Sequence, residues 1–333
     1  MSDPDRRLDS LARLGEEGLI QRLRGLATRR PDVVQGIGDD CAVIREADGS
    51  ALLVTTDALV EGVHFRRDWS PASAIGHKAL AVNLSDVAAM GGQPVAAFLA
   101  FSAPADLPLE WVEAFLEGLE ALARAAGVDL LGGDTTGSPG PLALCLTVLG
   151  RAPIENVKYR SGARPGDLVG VTGPLGDAAR AVDLLGRGLS CPEPLRRRLE
   201  WPQPRLEAGL SLGAEPRCSA LMDLSDGLGT DLPRLARASG VGVQIDVERV
   251  PFSADLVAAC GGDRAVALGW ALRGGDDYEL LATWTPGQEA ASGPAGLTVI
   301  GRVTEGQGVT WRDGEGGAVA PPPAGFDHFG AGA

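Results

Sequence analysis

Six short segments of this chain combine acidic residues with glycine, serine, threonine or asparagine, and they contain most of the residues that could carry chemistry. They are Gly36-Ile37-Gly38-Asp39-Asp40, Thr55-Thr56-Asp57, Asn83-Leu84-Ser85-Asp86, Gly132-Gly133-Asp134-Thr135-Thr136, Asp223-Leu224-Ser225-Asp226-Gly227 and Gly274-Gly275-Asp276-Asp277. They recur at the ends of apolar segments, which is typical of functional loops at the edge of a scaffold. Carboxylate and hydroxyl oxygens are ligands that hard cations such as Mg²⁺ prefer. Together the segments predict several cation sites that serve phosphate chemistry.

The repetition of these carboxylates matters more than any single segment. Two like charges about 4 Å apart repel by roughly 4 kcal/mol at an effective dielectric constant of about 20. A nucleoside triphosphate would meet the same repulsion, which a divalent cation between the two sets of oxygens removes. One segment alone is also what an ordinary turn looks like, since Asp-Gly and Gly-Asp pairs favour turns. Six of them in one chain favour the cation sites.

Composition narrows the class of protein. The chain has 333 residues, with 30 Lys and Arg against 44 Asp and Glu, and a formal net charge of −14. Nucleic acid and anionic membranes require a cationic surface, so we expect neither as a partner. The first 14 residues lack the apolar core of a secretory signal, and no stretch reaches the roughly 18 apolar residues of a membrane span. The five cysteines are widely spaced without a Cys-x-x-Cys pair, which predicts reduced thiols and a cytoplasmic location.

The elements that must position the acidic segments follow from the hydrophobic pattern. The length predicts two domains, which we place at residues 1–150 and 151–333. In the first, helices are predicted over 16–27, 73–90 and 110–126, the last capped by Gly127. Strands are predicted over 42–44, 51–55, 95–101, 128–131 and 142–149. Gly132-Gly133-Asp134 then follows a strand, and Asn83 and Asp86 share one face of a helix.

The second domain shows a similar alternation. Helices are predicted over 177–187 and 231–239, and strands over 168–172, 241–247, 278–283 and 297–303. Residues 190–204 are rich in proline and arginine, which indicates a surface connection. Residues 314–333 are mostly Gly, Pro and Ala, a composition that predicts a flexible tail. The alternative prediction is that the aromatic cluster around Phe326 folds back over a site.

Common nucleotide-binding motifs are absent from the sequence. There is no G-x-x-x-x-G-K-[ST] loop, and Gly36-x-Gly38 lacks the third glycine of a dinucleotide fingerprint. The motif set of protein kinases is also missing. A nucleotide must therefore be held by metals and by loop backbone.

In order and spacing, the motifs resemble those of the thiamine-monophosphate kinase family, within the superfamily of aminoimidazole ribonucleotide synthetase. The resemblance extends from Gly36 to Phe326-Asp327-His328-Phe329 and includes the segments 62–65, 78–86 and 160–167. It implies an α+β fold of two domains, each with helices packed on a mixed β-sheet. The N-terminal domain would bind ATP and Mg²⁺ and pair in a homodimer, while the C-terminal α/β domain completes the nucleotide and substrate sites.

The resemblance also implies an activity. The family phosphorylates thiamine monophosphate to thiamine diphosphate with ATP and several Mg²⁺ ions, by direct in-line transfer without a phosphoenzyme. Such a reaction mainly needs positioning and neutralisation of developing charge. The acceptor is a phosphate oxygen that is already nucleophilic at neutral pH, so a strong general base is not required.

Roles can be carried over residue by residue. The implied metal ligands are Asp40, Thr55, Thr56, Asp57, Asp86, Asp134, Asp223 and Asp226. The implied nucleotide contacts are Gly133, Asp134, Arg160 and Ser225, and the implied substrate contacts are His64, Asp276 and Phe326. Asp57, Asp134 and Arg160 would act in catalysis. Asp39 is a weaker metal ligand than Asp40, because adjacent side chains on extended chain point in opposite directions.

Two positions depart from the family pattern. Asp276 stands where the family usually has Glu, and its side chain reaches about one methylene less far toward the substrate. Phe326 stands where many relatives have Tyr or Trp. A phenyl ring stacks on the thiamine rings but lacks the hydroxyl group's hydrogen bond.

Other readings of the sequence remain open at this point. Selenophosphate synthetase would place a reactive cysteine near the start, whereas the first cysteine here is Cys41. The hydrogenase-maturation relative would end in a cysteine, whereas this chain ends Gly330-Ala331-Gly332-Ala333. Aminoimidazole ribonucleotide synthetase is not excluded by any missing motif, and a panel of substrates separates it. A calcium-binding structural module lacks the EF-hand spacing here, and turnover of ATP with Mg²⁺ would exclude it.

Overall fold

The first half of the chain forms a six-stranded mixed sheet. The computed structural model describes residues 10–26, 30–287 and 293–322. The strands are β1 (Val33–Gln35), β2 (Ala42–Arg45), β3 (Ser50–Val60), β4 (Gln93–Ala103), β5 (Asp129–Gly137) and β6 (Ala143–Pro153). Their order is β1-β2-β3-β6-β4-β5, with all pairs antiparallel except the parallel pair β4 and β5. The acidic ends of β3 and β5 therefore belong to one sheet.

Three helices accompany this sheet, namely α1 (Leu11–Arg24), α2 (Ala72–Ala89) and α3 (Leu109–Ala126). All residues of α2 except Ser73 and Asp86 are buried, because the helix packs on β3 and β6 and also contacts elements of the second half. Helices α2 and α3 approach closely, and a Cβ atom at Gly118 would lie 1.8 Å from the Ser73 carbonyl oxygen. Helix α3 ends at Gly127, which has the left-handed backbone conformation of a C-terminal cap.

The second half forms a seven-stranded mixed sheet. Its strands are β7 (Leu168–Val171), β8 (Cys218–Asp223), β9 (Gly242–Asp246), β10 (Leu280–Trp284), β11 (Thr298–Thr304), β12 (Gly308–Arg312) and β13 (Ala318–Val319). Its helices are α4 (Asp177–Gly186), α5 (Glu193–Glu200), α6 (Leu206–Ala214), α7 (Leu228–Ser239), α8 (Ala254–Ala259) and α9 (Arg264–Arg273). The strand order is β13-β12-β9-β11-β7-β10-β8, with β12 parallel to β9. The predicted α+β fold with mixed sheets is confirmed.

An apolar cluster joins the two halves. Ala88 and Ala89 at the end of α2 pack with Leu212 of α6 and with Leu221 and Leu280 of the second sheet. Helix α2 also contacts α5, α6 and β8. A helix that is buried on nearly all sides is expected to be mostly apolar, and alanine, leucine, valine and isoleucine predominate in α2. The polar residues that α2 does carry are therefore the unusual feature of this helix.

Several predicted elements are confirmed, and three are wrong. The helix predicted over 110–126 matches α3, and the one predicted over 73–90 matches α2. Gly132-Gly133-Asp134 lies inside β5 and not after its end. Residues 190–204 contain α5, because Leu195 and Leu199 are buried one turn apart and proline is tolerated in the first helical turn. The described part of the predicted flexible tail, up to residue 322, includes β13, which pairs with β12.

Within the described parts of the chain, no helix combines the length and the apolar character that crossing a membrane requires.

Candidate active site

Three acidic residues from distant parts of the chain converge at the junction of the two halves. Asp40 precedes β2, Asp86 lies near the end of α2, and Asp223 ends β8. One carboxylate oxygen of each lies within 4.8 Å of the others. Asp40 and Asp223 are buried and Asp86 is half-buried. The fold therefore brings together three of the acidic segments recognised in the sequence.

Helix α2 and β3 supply the hydroxyl groups that orient these carboxylates. Ser85 Oγ donates to Asp223 Oδ2 at 2.7 Å, which is a hydrogen bond from α2 to β8. Thr55 Oγ1 donates to Asp86 Oδ2. The pKa values of Asp86 and Asp223 are raised well above their usual range, chiefly by burial and then by the neighbouring carboxylates. Burial without a compensating cation thus makes the ionised forms unfavourable.

Arg160 is a cationic side chain that contacts the carboxylate cluster. It lies in the connection between the two sheets, and its Nε and Nη2 atoms donate to Asp40 Oδ1, the former at 3.1 Å. Burial acts to lower its pKa, but the charges of Asp40, Asp223 and Asp39 raise it above the ordinary value. Asp39 accepts from the Arg160 backbone N–H at 3.2 Å. Asp39 therefore anchors the arginine, while Asp40 joins the cluster.

One carboxylate oxygen of this cluster is buried without a hydrogen-bond partner among the described residues. Asp40 Oδ2 has no hydrogen-bond partner among the residues that the structure describes, although the side chain is fully buried. A buried carboxylate oxygen in this condition costs free energy unless something binds it. Three neighbouring carboxylates, with Asp40 Oδ2 lacking a hydrogen-bond partner, are a set of oxygen ligands that fits a hard divalent cation.

A cavity of about 890 Å³ opens beside the cluster between the two halves. Seven of the residues predicted to serve the site line it: Asp57, His64, Asp86, Asp223, Ser225, Asp226 and Asp276. The wall also includes aromatic and aliphatic side chains, among them Trp69, Trp270 and Val63. The cavity therefore joins an acidic end to a region that can hold an apolar ring.

Asp57 extends the acidic end of this cavity. Its backbone N–H donates to Asn83 Oδ1 at 3.2 Å, which ties β3 to α2. Burial, and then the charges of Asp40 and Asp226, raise the pKa of Asp57 to about 6. Asp226 accepts from Arg234 Nη1 at 2.5 Å, so part of its charge is already balanced by a residue of α7.

His64 and Ser225 lie on loops around the cavity. The Val60 N–H donates to His64 Nδ1 at 3.0 Å, which fixes the imidazole against the end of β3. Ser225 precedes α7, and its carbonyl oxygen accepts from the Asp276 N–H at 2.8 Å. The two acidic segments of the second half are thus hydrogen-bonded to each other.

Apart from Phe326, which the structure does not describe, the remaining predicted residues are not among those that line the cavity. Thr55 is hydrogen-bonded to Asp86 of the wall, and Arg160 is hydrogen-bonded to Asp40. Thr56 points to the opposite face of the first sheet, where its Oγ1 donates to the Leu146 carbonyl oxygen at 3.1 Å.

Gly133 and Asp134 are exposed on β5, three strands from β3 in the same sheet. At about 4.8 Å per strand, this is roughly 14 Å from Asp57. Phe326 lies outside the described residues. The roles of Thr56, Gly133, Asp134 and Phe326 therefore remain predictions.

Two hydrogen-bond partners of Asp276 in the cavity wall were assigned no role from the sequence. Lys78 of α2 is buried, and its Nζ donates to Asp276 Oδ2 at 2.8 Å. Tyr278 is buried, and its hydroxyl donates to Asp276 Oδ1 at 2.9 Å. A lysine within a mostly apolar helix was the signal available for Lys78. Tyr278 offered no comparable signal.

Comparison with known proteins places this architecture in a class. Residues 38–152 match the N-terminal domain of the AIR synthase related proteins, and residues 164–313 match their C-terminal domain. The two mixed sheets thus belong to the two domains of an AIR synthase related protein. The thiamine-monophosphate kinase of Salmonella typhimurium is 40% identical over 330 residues, which cover 95% of this chain and 98% of that protein. The chain belongs to the thiamine-monophosphate kinase family.

Solved structures agree with this assignment. The structure described as AaThiL complexed with AMPPCP and TMP has a TM-score of 0.83 and 34% identity, and covers 96% of this chain and 98% of that one. The thiamine-monophosphate kinase of Stenotrophomonas maltophilia has a TM-score of 0.73 and 40% identity, with coverage of 90% and 96%. The similarity therefore extends over both sheets.

Proposed function

We propose that this protein transfers a phosphoryl group from ATP to thiamine monophosphate and forms thiamine diphosphate. The observation that carries the proposal is the convergence of Asp40, Asp86 and Asp223 beside a cavity that contains Asp57 and Asp226. An acidic end suits the phosphates of two anionic reactants once cations are present. An aromatic wall suits the rings of thiamine. The solved relative that was crystallised with AMPPCP and TMP supports the same pair of ligands.

Several Mg²⁺ ions fit the donor set. Asp40, Asp86 and Asp223 would hold one, with the orphaned Asp40 Oδ2 among its ligands. Asp57 and Asp226 offer further oxygens in the cavity wall, and we retain Thr55, Thr56 and Asp134 as proposed ligands. When bound, Mg²⁺ neutralises the charge of the phosphates and of the developing transition state.

The chain's own residues have separate tasks in this mechanism. Asp40 holds the Arg160 guanidinium in a fixed orientation, and we propose that this fork contacts the nucleotide phosphates. Ser225 and the edge-strand residues Gly133 and Asp134 are the other proposed nucleotide contacts. His64, Asp276 and Phe326 are proposed to bind thiamine monophosphate. In-line transfer then needs positioning and no strong base, because the acceptor is a phosphate oxygen.

We further propose that two copies associate through the N-terminal half. Every residue of β5, which is one of the two edge strands of the first sheet, is exposed. The face of this sheet that is turned away from α2 carries half-buried apolar residues, including Val54 and Leu149. An unpaired edge beside such a face is typical of an interface. A partner would also cover the proposed contacts Gly133 and Asp134.

Substitution of Leu131 tests this association. Leu131 on β5 is 62% exposed. We expect Leu131→Glu to weaken dimerisation at least about tenfold, because a buried carboxylate opposes association. Sedimentation across a range of protein concentrations measures the change. Leu189→Glu, at an exposed leucine of the second half, is the matched control and should dimerise like the wild type. Equal behaviour of both variants would place the interface elsewhere.

A substrate panel tests the activity itself. Purified protein with ATP and Mg²⁺ is given thiamine monophosphate, an aminoimidazole precursor, selenide or no acceptor. We expect thiamine diphosphate in the first reaction and no ADP above background in the others. ADP formation with a different acceptor would retain the fold class and reject the substrate.

We place the reaction in the cytoplasm. All five cysteines lie within the described residues, and all are free thiols. Reduced thiols of this kind are typical of cytosolic proteins.

A further inference from the structure

The Asp276 carboxylate is held by two buried donors from different halves of the molecule. Lys78 Nζ of α2 donates to Oδ2 at 2.8 Å, and the Tyr278 hydroxyl donates to Oδ1 at 2.9 Å. The Lys78 and Tyr278 side chains are buried, whereas that of Asp276 is 30% exposed and lines the cavity. Each carboxylate oxygen thus has one buried partner, and the Asp276 side chain lines the cavity together with both partners.

The backbone around Asp276 is constrained as strongly as its side chain. Asp276 and Tyr278 have φ values of +66° and +50°, a region that residues other than glycine rarely adopt. The conformation is held by two hydrogen bonds, from the Asp276 N–H to the Ser225 carbonyl oxygen and from the Tyr278 N–H to the Leu224 carbonyl oxygen. Backbone strain of this kind persists where the surroundings over-determine it, and it concentrates at ligand sites.

The two donors also determine which ligand group the carboxylate can recognise. An ionised carboxylate has about four acceptor positions, of which Lys78 and Tyr278 take two. The Lys78 ammonium already balances the carboxylate charge, so a second cation gains little there. Burial, with the nearby Asp276 charge, raises the pKa of Tyr278 well above its usual value, so its hydroxyl remains protonated and donates. The remaining positions suit a neutral N–H donor.

We propose that Lys78 and Tyr278 are positioning residues, which hold the Asp276 carboxylate so that it accepts a hydrogen bond from a neutral amino group of the acceptor substrate. This inference rests on the proposed function. In thiamine monophosphate the group of that class is the amino substituent of the pyrimidine ring, because the thiazolium ring is cationic and has no N–H donor. Lys78 and Tyr278 would then contribute to the selection of substrate through the Asp276 carboxylate that they hold.

Selectivity between two acceptors tests this proposal. The first is thiamine monophosphate, and the second is its analogue with oxygen in place of the pyrimidine amino group. A carbonyl oxygen facing a carboxylate places two acceptors together, so we expect the wild type to favour the amino substrate at least about 100-fold in kcat/KM. Lys78→Met and Tyr278→Phe should each reduce this ratio about tenfold, mainly through the KM of the amino substrate. The KM of ATP should not change.

The control uses the chain's other lysine. The sequence has two lysines, Lys78 and Lys158, and Lys158 Nζ donates to the Glu215 carbonyl oxygen away from the cavity. Lys158→Met should retain the wild-type ratio. Tyr278→Phe removes a single hydroxyl and keeps the test valid if Lys78→Met does not fold.

The possible outcomes distinguish failure of this inference from failure of the proposed function. An equal loss of activity toward both acceptors in Lys78→Met and Tyr278→Phe would show a structural role and overturn the inference. An unchanged selectivity ratio in the folded variants would overturn it as well. Failure of the wild type to phosphorylate either acceptor would instead overturn the proposed function and, with it, this inference.

Discussion

Replacing Asp57 by asparagine is expected to lower kcat for phosphoryl transfer by at least about 10³-fold. Asp57 lines the acidic end of the cavity, and its pKa is raised by burial and by the charges of Asp40 and Asp226. The amide has nearly the same shape but supplies no negative charge to a cation. Loss of a single preorganised electrostatic contact in an active site costs about 10²–10³-fold, and loss of a metal ligand removes more than one such contact. Steady-state assays at saturating ATP and Mg²⁺ measure the effect.

The same substitution should leave the fold intact. The folded-state pKa of Asp57, about 6, lies above its usual value of 3.8. Its ionised form is therefore unfavourable in the folded protein, and this cost is fully present at pH values above about 6 and is relieved below 3.8. Asparagine removes the cost, so at pH 8 we expect a thermal midpoint equal to or above that of the wild type. Asp106→Asn, at an exposed aspartate, is the matched control. Near-normal turnover by Asp57→Asn would reject the assignment of a metal ligand.

The sequence predicted elements whose signal is local. Helix α3 has apolar residues at helical spacing and a glycine cap, and both features act within the segment. Strand β5 shows the opposite case. Gly132 and Gly133 are poor strand residues by propensity, yet they pair in register with Phe98 and Leu99 of β4. The pairing partner is more than thirty residues away in sequence, so a local pattern could not predict where β5 ends.

The acidic residues of the site were recognisable, but their grouping was not. Thr55, Thr56 and Asp57 are consecutive, and strand geometry sends Thr56 to the opposite face from its neighbours. The proximity of Asp40, Asp86 and Asp223 depends on the packing of α2 between the two sheets. The role of Lys78 depends on a contact with Asp276, which lies 198 positions away in the sequence. Only tertiary structure supplies such information.

Removing Mg²⁺ is the second change with a large expected effect, because the cluster of Asp40, Asp86 and Asp223 is then left with uncompensated charge. Turnover should cease in a chelator and return when Mg²⁺ is restored. Binding to the folded state alone contributes about 2.7 kcal/mol at a ligand concentration 100 times the Kd. For a chain of 333 residues we expect Mg²⁺ to raise the thermal midpoint by about 4 °C. Differential scanning fluorimetry at constant ionic strength measures the shift.

Variants of the cluster distinguish binding at this site from general screening of the net charge. Asp223→Asn should reduce the Mg²⁺-induced shift by more than half, because a buried ligand of the cluster is lost. Without Mg²⁺ this variant should be more stable than the wild type, since burial and the neighbouring carboxylates disfavour the ionised Asp223. Asp106→Asn should retain the full shift. A shift of equal size in both variants, or one reproduced by NaCl at matched ionic strength, would mean that Mg²⁺ acts elsewhere on this acidic protein. A shift that depends on Asp223 assigns the cation to the junction of the two sheets, where the phosphates of both reactants are proposed to meet.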